Sequence, residues 1–409
     1  MKTSEQTPIN YRELMSEVEQ AVAAIEHTET VGDTIQTVAS LIIQRFHEPL
    51  GLYAGRLYHK QGRSYVLEAV FGDVPAKAVG TRVSRTYEPV QIVLERGVVY
   101  MDESDPRFDR RFEAKLGVDQ FAAIEVADGE YLIAFNVAPG HDREDIQFSL
   151  GILRHAINQR VRHERIETIF AEARKIQASL LPLRAPQFGH FDVWGRSVAM
   201  ESVGGDFYDF IPLTDKILGL AIADSSGHGL PAALQTRDIY MGLHMGLARD
   251  FKIVRTVERM NQIIHRSTLT SRFVSMFYGE LERAGVFIYV NAGHPPPYHL
   301  SADGTVTPLE EGGAVLGPVA DATYERGFVK MKAGDLLLLY TDGISETRGK
   351  VGEGWEEYGA ERMLAVARKH RHESAERIVD AVFHDLGRFS GYRPATDDRT
   401  LVVVRYPEG

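Results

Sequence analysis

The spacing of apolar residues separates an N-terminal domain from the rest of the chain. Between residues 11 and 46, apolar positions recur every three or four residues and predict helices, the second of them capped by Asp33 or Thr34. Short apolar runs between turns then predict antiparallel strands. These runs are GLYAGRLYHK, SYVLEAVFG, FAAIEVADGE and YLIAFNVAPG, with Asp-Gly-Glu marking a hairpin turn between the last two. The pattern predicts an α+β domain over residues 15–145.

A long helical pattern occupies residues 146–182. Its apolar stripe advances as a heptad from Ile166 onward, and a step of five residues after Val161 shifts the phase of the stripe. We expect a helical linker that forms a coiled coil with a second copy of the chain, making a homodimer. The alternative is a surface helix that packs its one apolar face on its own domain. The proline-containing run LPLRAPQFGH ends the helix and predicts a further domain over residues 183–409.

Composition excludes several classes of protein. Lys and Arg total 46 against 57 Asp and Glu, a net charge of -11, which does not suggest a nucleic-acid partner. The chain has no cysteine, so disulfides, thiolate metal sites and a cysteine nucleophile are excluded. The N-terminus is polar, and no run approaches the roughly 18 apolar residues of a membrane span. We therefore expect a cytoplasmic protein that does not interact with a membrane.

Acidic residues stand at the ends of apolar runs in the C-terminal half. They are Asp206 in VGGDFYDF, Asp224 in ILGLAIADSSGHG, Asp342 in DLLLLYTDG, and Asp397 with Asp398 in ATDDRTLVVV. The runs FYDFIPL and KILGLAIAD flank a turn at residues 214–215, so they predict a hairpin with Asp206 opposite Asp224. A second strand pair, joined by a helical segment over residues 359–389, would bring the other acidic groups to the same edge.

Carboxylates gathered in this way favour a metal site. Like charges raise each other's pKa unless a cation lies between them. Oxygen ligands without cysteine favour Mg²⁺ or Mn²⁺, and two such ions roughly 3.5–4 Å apart can activate water against a phosphoryl group. The small-residue loop Ser225–Gly229 would let the backbone approach the ions, and Pro231 suits the start of a helix whose amino end faces an anion.

Each of these features also has a purely structural interpretation. An Asp beside a strand is commonly a turn former, and Gly204 with Gly205 can form a bulge. His228 can be structural, and His294 in NAGHPPPYHL is expected to shape its loop. The joint occurrence of the acidic positions is what favours the metal site.

The segments VGGDFYDF, ADSSGHG, NAGHPPP, YTDGISE and DDRT, in this order, resemble the PPM-type metal-dependent serine/threonine phosphatases. The resemblance is to the bacterial branch of sporulation stage II protein E and RsbU-type regulators, and it covers residues 170–406. It implies an αββα sandwich with two antiparallel sheets. It also implies hydrolysis of phosphoserine or phosphothreonine by metal-activated water.

By position, the resemblance implies a catalytic and metal-binding set. Its members are Asp206, Asp224, the Ser225 carbonyl, Asp342, Asp397 and Asp398. Asp224 would bridge two Mn²⁺ or Mg²⁺ ions, Asp206 would hold one of them, and Asp342 with Asp397 would hold the other. Asp209 would support a ligand without binding an ion itself. Glu201 stands where eukaryotic relatives have a phosphate-binding Arg. The resemblance therefore does not identify the residue that binds the substrate phosphate.

The first domain resembles a GAF-type sensor in the order of its elements, with an unknown ligand or protein as its signal. The branch implies a phosphorylated STAS-domain anti-sigma-factor antagonist as substrate. Two alternatives stay open. One is a catalytically silent module that only docks partners, and the other is a phosphatase of small phosphorylated metabolites that uses the same residues.

Overall fold

A computed structural model describes residues 31–247, 252–267 and 273–408. The first of the predicted N-terminal helices lies outside these ranges. Contacts along the chain divide it into two units, Met1–Ile169 and Phe170–Gly409, each with its own core. None of the helices in the described ranges has the length and hydropathy needed to cross a membrane.

The first unit contains a six-stranded antiparallel sheet with helices on both faces. The helices are α1 (Val31–Leu50), α2 (Glu88–Arg96), α3 (Arg110–Glu113) and the N-terminal part of α4 (Arg143–Ala178). The strands are β1 (Leu52–Gln61), β2 (Ser64–Gly72), β3 (Arg82–Ser84), β4 (Val98–Asp102), β5 (Gln120–Val126) and β6 (Tyr131–Val137), in the order β3-β2-β1-β6-β5-β4. The four predicted strands are confirmed as β1, β2, β5 and β6. Sequence reasoning missed β3, β4 and α2 because each is too short to show a sustained period.

Helix α4 changes its environment at the predicted phase shift. The residues of its stripe are buried in a core shared with α1 and one face of the sheet, namely Ile146, Leu150, Leu153, Ile157 and Val161. Beyond the shift, Ile166, Ile169 and Ile176 are 52%, 57% and 62% exposed. The N-terminal half of the helix therefore packs on its own unit, as the alternative interpretation required, whereas the heptad half presents an uncovered apolar stripe.

The second unit contains two sheets and five helices within the described ranges. The helices are α5 (Leu230–Leu247), α6 (Ile253–Arg266), α7 (Asp342–Ser345), α8 (Gly359–Lys369) and α9 (Ala375–Ser390). The first sheet is formed by β8 (Asp206–Thr214), β9 (Ile217–Ser225), β10 (Val274–Glu282), β11 (Val286–Ala292), β14 (Gly312–Gly313) and β15 (Gly327–Lys330). The second is formed by β7 (Asp192–Val198), β12 (Tyr298–Leu300), β13 (Val306–Pro308), β16 (Leu336–Tyr340) and β19 (Arg399–Arg405), and a separate hairpin joins β17 (Arg348–Val351) to β18 (Gly354–Glu357).

Three apolar clusters set the layers of this unit. One cluster lies between the sheets and includes Phe210, Leu220, Phe277, Leu339 and Val402. A second packs α5 and α6 on the outer face of the first sheet, and a third packs α8 and α9 on the outer face of the second. The order is therefore helix, sheet, sheet, helix. The predicted α+β class with antiparallel sheets is confirmed, and α8 with α9 fills the predicted helical segment.

Candidate metal centre

The hairpin of β8 and β9 brings the first two acidic residues together. Its antiparallel register pairs Asp206 directly with Asp224, as the symmetry about the turn predicted. The next strand, β10, places Ser275 opposite Asp224. Residues facing each other across antiparallel strands have Cβ atoms about 4.5–5.5 Å apart. Both carboxylates therefore belong to one end of the first sheet.

The second sheet also uses an antiparallel strand pair to bring the other acidic residues close together. Strands β16 and β19 pair antiparallel, and Thr341 continues the pairing by donating its N–H to the Thr400 carbonyl at 3.1 Å. Asp342 opens α7 immediately after Thr341, and Asp397 with Asp398 lies just before β19. A Cβ at Gly343 would lie 1.8 Å from the Asp398 carbonyl oxygen, so only glycine allows these two segments to approach.

Asp206 is buried and only half of its carboxylate is satisfied. Its Oδ2 accepts hydrogen bonds from the hydroxyls of Thr341 at 2.8 Å and Thr400 at 2.6 Å. Its Oδ1 is buried and has no hydrogen-bond donor within the described residues. Burial raises the pKa of Asp206 well above its usual range, and the charge of Asp224 raises it further. A buried oxygen without a donor fits a cation as its partner.

The charges of neighbouring carboxylates also raise the pKa values of Asp224 and Asp342. Burial raises the pKa of Asp224 to about 7, and Asp342, Asp397 and Asp398 each add to the rise. The pKa of Asp342 is raised by burial and then by the charge of Asp397. Such coupling means that the groups lie close together without a compensating positive charge.

Asp398 contacts backbone amides in this arrangement. Its Oδ1 accepts a hydrogen bond from the Met200 N–H at 2.7 Å, and its Oδ2 accepts one from the Gly205 N–H. A Cβ at Gly204 would lie 2.5 Å from Asp398 Oδ2, so the glycine pair lets the backbone approach this carboxylate. Asp398 therefore joins the loop before β8 to the start of β19, and its role as a metal ligand stays a prediction.

The donor set suits Mg²⁺ or Mn²⁺, although its side chains are not arranged around an ion. Within residues 31–247, 252–267 and 273–408, no three His, Asp or Glu side chains form a group that could hold a metal ion as they stand. Asp206 and Asp398 accept hydrogen bonds from hydroxyl and amide donors instead. The fit rests on the unpaired Oδ1 of Asp206 and on donors that are all oxygens.

Backbone geometry brings the Ser225 carbonyl into the same region. A Cβ at Gly205 would lie 2.8 Å from the Ser225 oxygen and 3.5 Å from Asp224 Oδ1. The predicted ligands Asp206, Asp224 and Ser225 are thus neighbours around one glycine.

His294 joins the two sheets beside the acidic cluster. It is 3% exposed, its Nδ1 accepts a hydrogen bond from the Ser275 hydroxyl at 2.9 Å, and its Nε2 donates to the Tyr340 carbonyl at 3.1 Å. Burial lowers the pKa of His294 to about 3, so the ring is neutral. Asn291 fixes the loop by accepting a hydrogen bond from the His294 N–H at 2.8 Å. The expected loop-shaping role therefore extends to holding the two sheets in register.

Sequence reasoning missed Thr341 and Thr400, which hold Asp206. Both stand inside the motifs that carried the prediction, YTDG and DDRT, so adjacency to the acids was the available signal. Asp209 was expected to support a ligand, but its Oδ2 instead contacts His244 Nε2 of α5 at 2.7 Å. That expectation failed because residues 206 and 209 point to opposite faces of β8.

Two further contacts surround the site. Glu201, at the position of the missing Arg, contacts His228 Nδ1 through Oε1 at 2.9 Å, and both side chains are exposed. Gln177, near the end of α4, accepts a hydrogen bond from the Gly204 N–H at 3.0 Å through Oε1 and donates one to the Gly204 carbonyl. The last turns of α4 are thus attached to the loop that Asp398 holds.

The raised pKa of Asp224 gives a stability prediction for the metal-free protein. Because the folded pKa of Asp224, about 7, exceeds its ordinary value of 3.8, the protein loses stability as pH rises from about 4 to 7, since ionisation is unfavourable in the folded state. Asp224→Asn should therefore be more stable than the parent by about 4 kcal/mol at pH 8, and nearly equal to it near pH 4. Urea unfolding in the presence of a chelator measures the difference.

The control for this measurement is Asp380→Asn, an exposed aspartate on α9. It should change stability by less than about 0.5 kcal/mol at either pH. Equal stability of Asp224→Asn and the parent at pH 8 would contradict the electrostatic account of the cluster.

His294→Ala should destabilise the second unit by about 2–4 kcal/mol, because it leaves the Tyr340 carbonyl and the Ser275 hydroxyl without partners and opens a cavity. The matched control is His384→Ala, an exposed histidine on α9. Denaturant unfolding of the two variants should separate them clearly, and similar stabilities would argue against the bridging role.

Comparison with known proteins identifies the second unit. Residues 214–407 match the family model described as stage II sporulation protein E (SpoIIE). The chain is 29% identical to phosphoserine phosphatase RsbU of Bacillus subtilis over 235 residues, covering 57% of this chain and 68% of RsbU. It is 26% identical to phosphoserine phosphatase RsbP of the same organism over 153 residues, covering 36% of this chain but only 38% of RsbP.

A solved structure supports the fold. The SiaA-PP2C domain of Pseudomonas aeruginosa superposes with a TM-score of 0.53 at 21% identity, covering 60% of this chain and 98% of that domain. At this identity the likeness concerns the fold. The second unit therefore matches the SpoIIE family model over residues 214–407 and has a fold like that of a PP2C phosphatase domain.

Proposed function

We propose that the chain is a metal-dependent protein phosphatase that hydrolyses phosphoserine or phosphothreonine. One observation carries this proposal. Two sheets of one sandwich bring Asp206, Asp224, Asp342 and Asp397 to a common edge, where burial and mutual repulsion raise the pKa of the first three. Such an edge would suit divalent cations and contributes little to packing.

The residues of the chain divide the work of hydrolysis. Asp206, Asp224, the Ser225 carbonyl, Asp342 and Asp397 would hold the ions. Two bound Mn²⁺ or Mg²⁺ ions would lower the pKa of water and stabilise negative charge on the phosphoryl group. Water oxygen bonds to phosphorus, the ester P–O bond breaks, and the serine or threonine oxygen leaves with a proton. Thr341 and Thr400 orient Asp206, so little entropy is lost when its free oxygen meets a cation.

The substrate we propose is a phosphorylated STAS-domain anti-sigma-factor antagonist. The similarity to RsbU over more than half of this chain supports a phosphoprotein substrate. We further propose that the first unit is a GAF-like sensor and that the exposed stripe of α4 pairs with a second copy. The antiparallel sheet with helices on both faces and the uncovered Ile166, Ile169 and Ile176 support these two points.

Two other functions use the same residues. A silent docking module would not need every acidic position that the motifs require, and all of them are present. A phosphatase of small metabolites differs only in its substrate. Comparing turnover of a phosphorylated STAS protein with turnover of free phosphometabolites distinguishes it from the proposed function.

Asp224→Asn should lower kcat/KM for an aryl phosphate in Mn²⁺ by about 10³-fold or more, because it removes the carboxylate that would contact both ions. Mn²⁺ should also raise the melting temperature of the parent and not that of the variant. Asp380→Asn serves as the control and should retain full activity. A folded Asp224→Asn protein with most of its activity would overturn the assignment.

Ile169→Asp should weaken self-association, because it places a charge in the apolar stripe of α4. Ala171→Asp is the matched control, since residue 171 is exposed on the same helix but lies off the stripe. Sedimentation velocity over a range of concentrations should show dissociation for the first variant alone. An unchanged mass for Ile169→Asp would remove the support for pairing through α4.

A further inference from the structure

The first unit contains a partly open cavity with a buried arginine in its wall. The cavity lies between the sheet and helices α2 and α3, on the face opposite α1. Arg56 of β1 lines it and is only 2% exposed. An arginine buried to this degree is ordinarily paired through most of its donors, because the loss of hydration is costly.

The hydrogen bonds of Arg56 leave one edge of its guanidinium free. Nη1 donates to Glu113 Oε2 at 3.3 Å and to the Tyr58 hydroxyl at 3.4 Å, and both distances are long. Nε and Nη2 have no acceptor among the residues that the structure describes. These two nitrogens form the planar fork that binds a carboxylate through two parallel hydrogen bonds.

Glu113 only partly balances the charge of Arg56. It is 2% exposed, and its Oε1 also accepts a hydrogen bond from the Tyr87 hydroxyl at 3.2 Å. Burial raises the pKa of Glu113, although Arg56 opposes the rise. The positive charge of Arg56 therefore remains available to a second anion on its free edge.

The remaining walls set the size and polarity of an occupant. They are mainly aliphatic and aromatic, and include Val83, Val90, Val93 and Leu132. The cavity has a volume of about 50 Å³. Because one water-sized group needs roughly 10–15 Å³, there is room for a compact molecule and not for a nucleotide or a peptide.

We propose that this cavity binds a small organic monocarboxylate of about four to six non-hydrogen atoms. Its carboxylate accepts hydrogen bonds from Nε and Nη2 of Arg56, and its short alkyl group packs against Val90 and Val93. A phosphate dianion fits less well, because it would need more donors than one free guanidinium edge and has no apolar part for these walls. The site gives the first unit a ligand of defined chemistry, separate from the acidic edge of the second unit.

Titration calorimetry of the full chain with isobutyrate at constant ionic strength tests this proposal. Isobutyrate should bind, whereas isobutanol, which has the same branched skeleton without the charge, and inorganic phosphate should not. Arg56→Gln should weaken isobutyrate binding by about 10- to 100-fold, since it removes a charge-assisted pair of hydrogen bonds. Arg154→Gln is the matched control, because Arg154 forms its ion pair with Glu125 and does not line the cavity.

A second variant covers the risk that Arg56→Gln unfolds by leaving Glu113 unpaired. Ala123→Leu fills the cavity from β5 and keeps Arg56, so it should also abolish binding. Asp224→Asn should bind isobutyrate as the parent does, which separates this site from the phosphatase proposal. Absence of isobutyrate binding to the parent, equal binding of isobutanol or phosphate, or unchanged binding to Ala123→Leu would each overturn the inference.

Discussion

Repulsion among buried carboxylates is the constraint on which the second unit depends. Apolar burial between the sheets fixes β8, β9, β16 and β19, and the ends of these strands then hold acids that would otherwise move apart. Each acid at this edge with a raised pKa has burial as its leading cause. The free energy that holds the cluster together therefore comes from the hydrophobic core and not from the cluster itself.

Neutral donors make this arrangement tolerable. Thr341 and Thr400 satisfy one oxygen of Asp206 without adding charge, and the neutral ring of His294 joins Ser275 to Tyr340 across the sheets. A lysine or arginine in these places would neutralise the carboxylates and compete with a cation. The framework thus keeps the edge free of positive charge while leaving few of its polar groups unpaired.

The sequence predicted those parts of the fold that depend on local pattern. The register of Asp206 with Asp224 followed from their equal distance to one turn, and the second strand pair followed from two apolar runs. His294 and the two threonines act across distances of many residues in sequence, so their partners could not be inferred from spacing.

The cavity around Arg56 was even less predictable from the sequence, because it also depends on residues that are distant from one another along the chain. Its wall comes from strands and helices between residues 56 and 134, and two of the elements that bound it, α2 and β4, are too short to predict. A lone arginine inside a strand pattern gave no sign that its side chain is buried. The change from buried to exposed positions along α4 was easier to predict, because it coincides with the phase shift of the apolar stripe after Val161.

The contact of Gln177 with Gly204 has a mechanical consequence. The side chain of Gln177 forms hydrogen bonds with both the N–H and the carbonyl of Gly204, and the N–H of the next residue, Gly205, donates to Asp398. A movement of the C-terminal end of α4 would therefore reach the Asp398 side chain through the one peptide bond that joins Gly204 to Gly205. A shift of a fraction of an ångström at this end of the helix would move the Asp398 carboxylate without a large rearrangement of the sandwich.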